Sequence, residues 1–337
     1  MFSTLYSMEN LTDALGRRIR YMRVSVADSC NLRCVYCMPA SGMRFNQHRN
    51  LMSPEEIEII VKAAARLGTS TVRLTGGEPL TRHDICDIAS RLSEIRGIED
   101  IPISTNGIFL YDWAERLSSA GVTRANISLD TLKPGLFSKI TRGGDLNRVL
   151  RGIKKAEESG IFPIKLNTVM MKGINDTEMT EIAHFALSNG YTVRFIEMMP
   201  LWSNVEFQPE LFLSAQQGML LLSDQYNLVP DDARNGLGPA VYYKVDGYEG
   251  RIGFITPISH NFCSSCNRIR ITSDGRLRMC LFGDAMFNLV GLIRQGAGPD
   301  EVADKLRELI PSKPERHYLG VGRISSETLF AMSQTGG

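Results

Sequence analysis

Short apolar runs rich in β-branched residues alternate with longer stretches whose apolar residues recur at helical spacing, and this rhythm fills the chain from about residue 20 to 200. The short runs predict strands near 21–27, 71–75, 101–105, 123–129, 162–170 and 192–198. Between them the pattern predicts helices near 54–67, 83–95, 111–120, 146–159 and 177–188. The first helix opens on Ser53-Pro54-Glu55-Glu56, an N-cap serine, an N1 proline and two acids on the positive helix end. Strands separated by helices are the mark of βαβ units and a parallel sheet, so the expected class is α/β.

After about residue 200 the period shortens. Val241 to Val245 with Arg251 to Ile255, and Arg268 to Thr272 with Arg276 to Cys280, read as hairpins, the second turned by Ser273-Asp274-Gly275. Helical stretches are expected near 285–295 and 299–310. The chain divides on this reading into an N-terminal extension (1–13), a barrel (14–226) and a C-terminal region of hairpins and helices (227–337) that caps the barrel mouth.

The residues just beyond each strand are polar: Thr75-Gly76-Gly77-Glu78-Pro79, Ser104-Thr105-Asn106-Gly107, Ser128-Leu129-Asp130, Lys165 with Asn167, and Glu197-Met198-Met199. Parallel α/β barrels gather their active sites at the C-terminal ends of the strands, so these segments are expected to meet at one mouth.

Composition narrows the function. At 337 residues, 43% hydrophobic and 22% charged, the chain is globular, and a net charge of +1 without a run of like charges argues against a nucleic-acid stripe or a polybasic membrane anchor. No apolar stretch reaches the length that spans a bilayer, and Met1 to Asn10 lacks signal-peptide order, so a cytoplasmic protein is expected. In that compartment seven cysteines read as metal ligands rather than disulfides. Six fall in two groups; Cys86, alone on a predicted helix, reads as a small buried hydrophobe.

The first group, Cys30-x3-Cys34-x2-Cys37, offers three thiolates where structural zinc and ordinary iron–sulfur clusters take four protein ligands. A compact triplet therefore implies an iron left open to a non-protein ligand. The second group, Cys263-x2-Cys266 with Cys280, is again a triplet; His260 makes a Cys3His zinc site a competing reading there, whereas the first group has only the distant His48. A C-x3-C-x2-C triplet after a first strand, with Tyr36 before its last cysteine, signals a radical S-adenosylmethionine cluster, whose open iron the amino and carboxylate groups of that cofactor chelate. Gly76-Gly77-Glu78-Pro79 suits such a ligand: the glycines permit close backbone approach and the acid can accept from an ammonium.

Taken together, Ser25 to Pro39, Arg73-Leu74-Thr75-Gly76-Gly77-Glu78-Pro79-Leu80, Ser128-Leu129-Asp130-Thr131-Leu132, Lys172 to Asp176, Arg194-Phe195-Ile196-Glu197, Phe262 to Arg270 and the terminal Gly336-Gly337 resemble the GTP 3′,8-cyclase family of molybdenum cofactor biosynthesis. The resemblance covers nearly the whole chain; only the first dozen residues look unmatched and are expected to be dispensable. It implies an incomplete (β/α)6 TIM-type barrel with a [4Fe-4S] cluster at each end of a central channel. Cys30, Cys34 and Cys37 would hold the first, which binds S-adenosylmethionine, and Cys263, Cys266 and Cys280 the second, which binds the guanine of GTP. The implied reaction takes the 3′ hydrogen of GTP with a deoxyadenosyl radical and joins C3′ to C8, giving 3′,8-cyclo-7,8-dihydro-GTP.

Carried over by motif, Tyr36, Gly77, Ser128 and Met199 match contacts to S-adenosylmethionine. Arg23, Arg73, Ser104, Lys165, Arg268, Ile269 and Arg270 match contacts to GTP, with Arg194 an addition on the same mouth, and Arg268 and Arg270 also match catalytic positions. The chain lacks a G-x4-G-K-[ST] loop, so scattered guanidinium and ammonium groups must neutralise a triphosphate. The resemblance further implies a cyclic pyranopterin monophosphate synthase as recipient of the product, a reductant protein or small-molecule electron donor, a monomer or homodimer, and a glycine tail inserted into the channel. Thr71, Ser29, Ala27 and Thr335 depart from residues common in relatives. Two other readings stay open at this point: a radical enzyme that modifies peptides or matures a cofactor, and a non-catalytic iron–sulfur or zinc-binding protein.

Overall fold

The computed structural model describes residues 10–42, 51–199, 209–232, 237–283 and 285–317. Strand β1 (Tyr21–Ala27) runs through the cysteine loop toward α1 (Pro54–Arg66), followed by β2 (Thr71–Gly76), α2 (Ile85–Ser93), β3 (Pro102–Thr105) and α3 (Leu110–Ser119). Then come β4 (Arg124–Ser128), α4 (Pro134–Thr141), α5 (Leu146–Glu158), β5 (Ile164–Met170), α6 (Met179–Ser188) and β6 (Thr192–Glu197). The C-terminal region adds α7 (Ala215–Ser223), β7 (Val229–Asp231), β8 (Val241–Lys244), β9 (Arg251–Ile255), β10 (Arg268–Ile271), β11 (Arg276–Arg278), β12 (Ala285–Asn288), α8 (Leu289–Ile293) and α9 (Pro299–Leu309).

The twelve strands of the described residues form one sheet in the order β12-β11-β10-β1-β2-β3-β4-β5-β6-β9-β8-β7. Strands β1 to β6 are parallel, and the sheet is open between β12 and β7, which makes the architecture an incomplete barrel. The C-terminal region prolongs the sheet at both edges: β10 pairs parallel with β1, β9 pairs parallel with β6, and each continues antiparallel into its hairpin. Its loops, including Gly238, Pro257, Phe262 and Phe282, close over one side of the resulting cavity.

Period-two alternation explains the layering. Met22, Val24 and Val26 of β1, Val72 and Leu74 of β2, and Ala125 and Ile127 of β4 face the surrounding helices and are fully buried in the main core. Their alternates, Arg23, Arg73 and Asn126, occupy the other face. Helix α1 starts as its sequence dictates: Ser53 Oγ accepts from the Glu56 amide (3.2 Å), and the Glu56 carboxylate accepts from the Ser53 amide (2.8 Å).

Some expectations change. Residues 285–288 form β12 rather than the start of a helix, because they pair with β11, and only 289–293 are helical. The return strand of the second hairpin stops at Arg278, leaving Cys280 in the turn that follows. Helices α4 and α7 were not anticipated by the apolar pattern. The described part of the first dozen residues, expected to be dispensable, is tied to the core: Leu11 is buried there with its amide bonded to Leu67 O at 2.8 Å, and just beyond it Asp13 is buried against Arg17. Cys86 packs half-buried against the core on α2, as expected of a small hydrophobe. The Gly336-Gly337 tail and His48 lie outside the described residues. Among the described residues, no helix is long and apolar enough to cross a membrane.

Candidate active site

The first cysteine triplet rides on the loop leaving β1, and the unforeseen α4 anchors it. The amides of Arg33 and Val35 donate to Thr141 O (3.1 Å) and Ile140 O (2.9 Å) at the end of that helix. Arg142, in the left-handed region at φ 55°, returns its Nη1 to the carbonyls of Arg33 (2.9 Å) and Met38 (2.8 Å). The amides of Cys37 and Met38 both bond to Cys34 O, so the loop closes a tight turn around Cys34. All three thiols are half-buried. Burial pushes Cys30 up to about 11, with the Glu78 charge adding to it, and Cys37 up to about 12, so these thiols stay protonated until a metal displaces the proton.

Gly76-Gly77-Glu78 works differently from the expectation. A Cβ on Gly77 would lie 2.1 Å from Ser29 O, and one on Gly76 2.3 Å from Ala27 O. The close approach these glycines permit is thus to the cysteine loop itself, stitched by Gly77 N to Ala27 O (2.8 Å) and Glu78 N to Ser29 O (2.9 Å). Nor does Glu78 present its carboxylate to a ligand ammonium. It is buried, accepting from Leu80 N (3.0 Å), Thr105 Oγ1 (2.7 Å) and Asn106 N (2.7 Å), and burial lifts its pKa to about 7. Its role is to join the ends of β2 and β3 behind the triplet; Asn106 Nδ2 in turn lies 3.7 Å from Cys30 Sγ.

A single cavity runs from Tyr36, beside the first triplet, to Cys263, Cys266 and Cys280. Tyr36 is aimed by Asp130, whose Oδ2 accepts its hydroxyl at 2.7 Å while Oδ1 accepts from Val169 N at 2.8 Å. Burial raises Asp130 to about 6. Ser128, Met199 and Ser104 also line the cavity. Its floor is cationic: β1, β2, β6 and β10 contribute Arg23, Arg73, Arg194, Arg268 and Arg270, the first two and Arg270 in direct register across adjacent strands. The Nε atoms of Arg23, Arg73 and Arg270 are buried with no hydrogen-bond partner among the described residues. Burial holds Arg73 and Arg270 down to about 10, and Arg23 well below its usual value. Among the described residues, the one carboxylate on this lining beside the arginines, Glu197, is already saturated by Ala215 N, Ile258 N, Ser259 N and the Ser259 hydroxyl. Unanswered positive charge of this kind calls for an anion.

Polar neighbours fix the fork of two of these arginines. Arg73 Nη1 donates to Ser104 Oγ (3.2 Å), and Arg194 donates from Nε to Asn167 Oδ1 (2.9 Å) and from Nη2 to Asn126 Oδ1. Asn126 was missed, although its alternation with Ala125 and Ile127 on β4 marks it as facing the cavity. Lys165 shares this face but its Nζ turns toward Tyr242 Oη at 3.4 Å; burial, then the charges of Arg194, Arg124 and Arg73, lower it to about 6. Ile269 differs from its expected place: between Arg268 and Arg270 it points to the opposite face, fully buried in the core, so only its main chain is available to the cavity. Gly77 likewise lies behind the cysteine loop.

At the far end Cys263, Cys266 and Cys280 are close enough for their thiols to interact electrostatically. Burial pushes Cys266 up, but the charges of Arg268 and Lys313 outweigh it and bring the thiol down to about 6. Arg268 Nη2 lies 3.7 Å from Cys266 Sγ and its guanidinium 4.9 Å from the Phe262 ring. His260, the fourth ligand in the competing zinc reading, is exposed with Nδ1 3.3 Å from Ser259 Oγ. His317 lines the same end and packs edge-on to Phe282. No sequence signal marked Lys313 or His317, which lie far from any motif.

Fold and triplet together define the class. A Radical SAM superfamily model matches residues 24–186, and a Molybdenum Cofactor Synthesis C model matches residues 191–319. The chain has the fold of Streptococcus suis SuiB, crystallised with S-adenosylmethionine, at a TM-score of 0.60 and 16% identity over 91% of this chain and 78% of that one. It is a radical S-adenosylmethionine enzyme, with a [4Fe-4S] cluster and S-adenosylmethionine as cofactors. Two relatives narrow this further: a GTP 3′,8-cyclase of Pelotomaculum thermopropionicum is 42% identical over 97% of this chain and 100% of its own, and one of Listeria monocytogenes serovar 1/2a is 41% identical over 98% and 100%. The chain belongs to the GTP 3′,8-cyclase family.

Proposed function

We propose that this protein converts GTP to (8S)-3′,8-cyclo-7,8-dihydroguanosine 5′-triphosphate, an early step of molybdenum cofactor biosynthesis. The observation that carries the reading is the cavity that runs from Tyr36, beside the first cysteine triplet, to the second triplet over a floor of five guanidinium groups. Cys30, Cys34 and Cys37 would hold the cluster that receives S-adenosylmethionine, and Cys263, Cys266 and Cys280 a second one. Three thiols without a fourth suit a [4Fe-4S] cluster with one iron open, and the low pKa of Cys266 suits a thiolate ligand. When bound and reduced, the first cluster and S-adenosylmethionine supply the carbon radical that removes the 3′ hydrogen of GTP.

The chain's own residues bind and aim. Arg23, Arg73, Arg268 and Arg270 neutralise the triphosphate from adjacent strands, Arg194 is pre-aimed by Asn126 and Asn167, and Lys165 becomes charged when an anion enters. Tyr36, held by Asp130, with Ser128 and Met199, forms the wall for S-adenosylmethionine. Burial of the cavity's strands keeps water from the radical. The product is assigned to a cyclic pyranopterin monophosphate synthase, and electrons to a reductant protein or small-molecule donor in the cytoplasm.

The test is anaerobic reconstitution followed by turnover with GTP deuterated at C3′. Two clusters predict about eight irons per chain and transfer of that deuterium into 5′-deoxyadenosine. Four irons would remove the second cluster from the reading, and 5′-deoxyadenosine without deuterium would remove GTP as the substrate.

A further inference from the structure

Residues 313–317 lie against the second triplet, and a side chain from the other end of the chain holds them there. Arg17 is buried, with Nε donating to Asp13 Oδ2 at 2.5 Å. Its Nη1 donates to the carbonyls of Cys263 (2.8 Å) and Glu315 (3.0 Å), and its Nη2 to those of Pro314 (2.8 Å) and Lys313 (3.3 Å). Asp13 is itself fixed, since Oδ1 accepts from the amides of Leu15 (3.0 Å) and Arg17 (2.9 Å). The guanidinium is therefore oriented from behind and spends its remaining donors on two chain segments that meet nowhere near it in sequence. Only the planar fork of arginine reaches this many acceptors at once.

The strap so held touches each cysteine's surroundings. Lys313 Nζ donates to Arg268 O (2.9 Å) and to Met279 O (2.5 Å), next to Cys280. The His317 amide bonds to the Cys263 thiol, and the Lys313 charge acts on Cys266.

We propose that Arg17 is a positioning residue for the second cysteine triplet, acting through the Cys263 carbonyl and the strap of residues 313–317. The proposal rests on the reading of that triplet as a cluster site. Arg17 spends its hydrogen bonds on Asp13 and on main-chain carbonyls rather than on a sulfur, and it is not part of the cavity lining, although its charge also acts on the Cys263 thiol; it sets where the three thiols stand.

Two measurements test it on the full chain. In the metal-free protein, Arg17→Met should speed amide exchange in peptides covering 262–267 and 313–317 by about tenfold or more, with β2 to β5 unchanged. Arg17→Lys, lacking the fork, should restore this only in part. In a C30A/C34A/C37A chain, where iron binds at the second triplet alone, Arg17→Met should at least halve the retained iron and alter its absorption and electron paramagnetic signature. In a C263A/C266A/C280A chain the same substitution should leave iron unchanged. With both triplets intact, the KM for GTP should rise while 5′-deoxyadenosine formed without GTP stays constant. Unchanged exchange in the two peptides, or equal iron loss in both cysteine backgrounds, overturns the proposal. If the C30A/C34A/C37A parent holds no iron, the cluster reading falls, and the exchange experiment still decides the role of Arg17.

Discussion

Replacing Arg270 by methionine is expected to make the ligand-free protein more stable and its GTP binding weaker. Arg270 is buried, its Nε has no hydrogen-bond partner among the described residues, and Arg268 lies on the same strand face two residues away. A buried donor left unpaired costs about 1–3 kcal/mol, and methionine keeps the alkyl packing without that cost. Spread over a chain of this length, the gain corresponds to a melting-temperature rise of roughly 1–4 °C. GTP would lose a charge-assisted hydrogen bond worth about 1.5–3 kcal/mol, which is about a 10- to 150-fold increase in Kd. Differential scanning fluorimetry with and without GTP reads both numbers at once: the variant should start higher and shift less on adding nucleotide. A ligand-free variant that melts below the parent, or one whose Kd for GTP stays within about threefold, would refute the idea that the cavity floor is strained to receive an anion.

Lys165, lowered to about 6 by burial and neighbouring guanidinium groups, is largely neutral at pH 8 in the empty cavity. An anionic ligand favours its charged form, so GTP binding should take up a proton at pH 8 and little at pH 5, and affinity should fall as pH rises above about 6. Calorimetry in buffers of different ionisation enthalpy measures this, and the buffer dependence should vanish in Lys165→Met. Gly77→Ala places a Cβ 2.1 Å from Ser29 O, so the cysteine loop must move; on the two-cluster reading proposed above, reconstituted iron should drop from about eight to about four, and full retention of the parent's iron would contradict the stitching role. Glu78→Gln turns an amide donor toward one of the N–H or O–H donors its carboxylate now accepts; a loss of about 1–3 kcal/mol in urea unfolding is expected, and an unchanged midpoint would argue against it.

Much of this molecule follows from local sequence. The six parallel strands and their helices are legible because burial on both sheet faces writes apolar runs and helical periods directly into the chain, and the two triplets are legible because thiolate chemistry demands particular residues at short spacing. The arginines of the floor were visible too, as charges at strand positions where alternation turns them inward. What the sequence left undetermined depends on partners distant along the chain. Residues 285–288 become a strand because β11 offers an edge, and Ile269 faces the core because its register beside Met22 assigns it there. Glu78 and the two glycines looked like ligand contacts, yet the partners of the glycines are the backbones of β1 and the cysteine loop, and those of Glu78 include the Thr105 hydroxyl at the end of β3 and the Asn106 amide just after it. Arg17 and the strap at 313–317 carry no local signature at all, since a guanidinium gathering distant carbonyls is recognised only once the chain has brought them together. Spacing determined which atoms this protein offers for chemistry; tertiary contact decided which of them face the cavity and which hold the others in place.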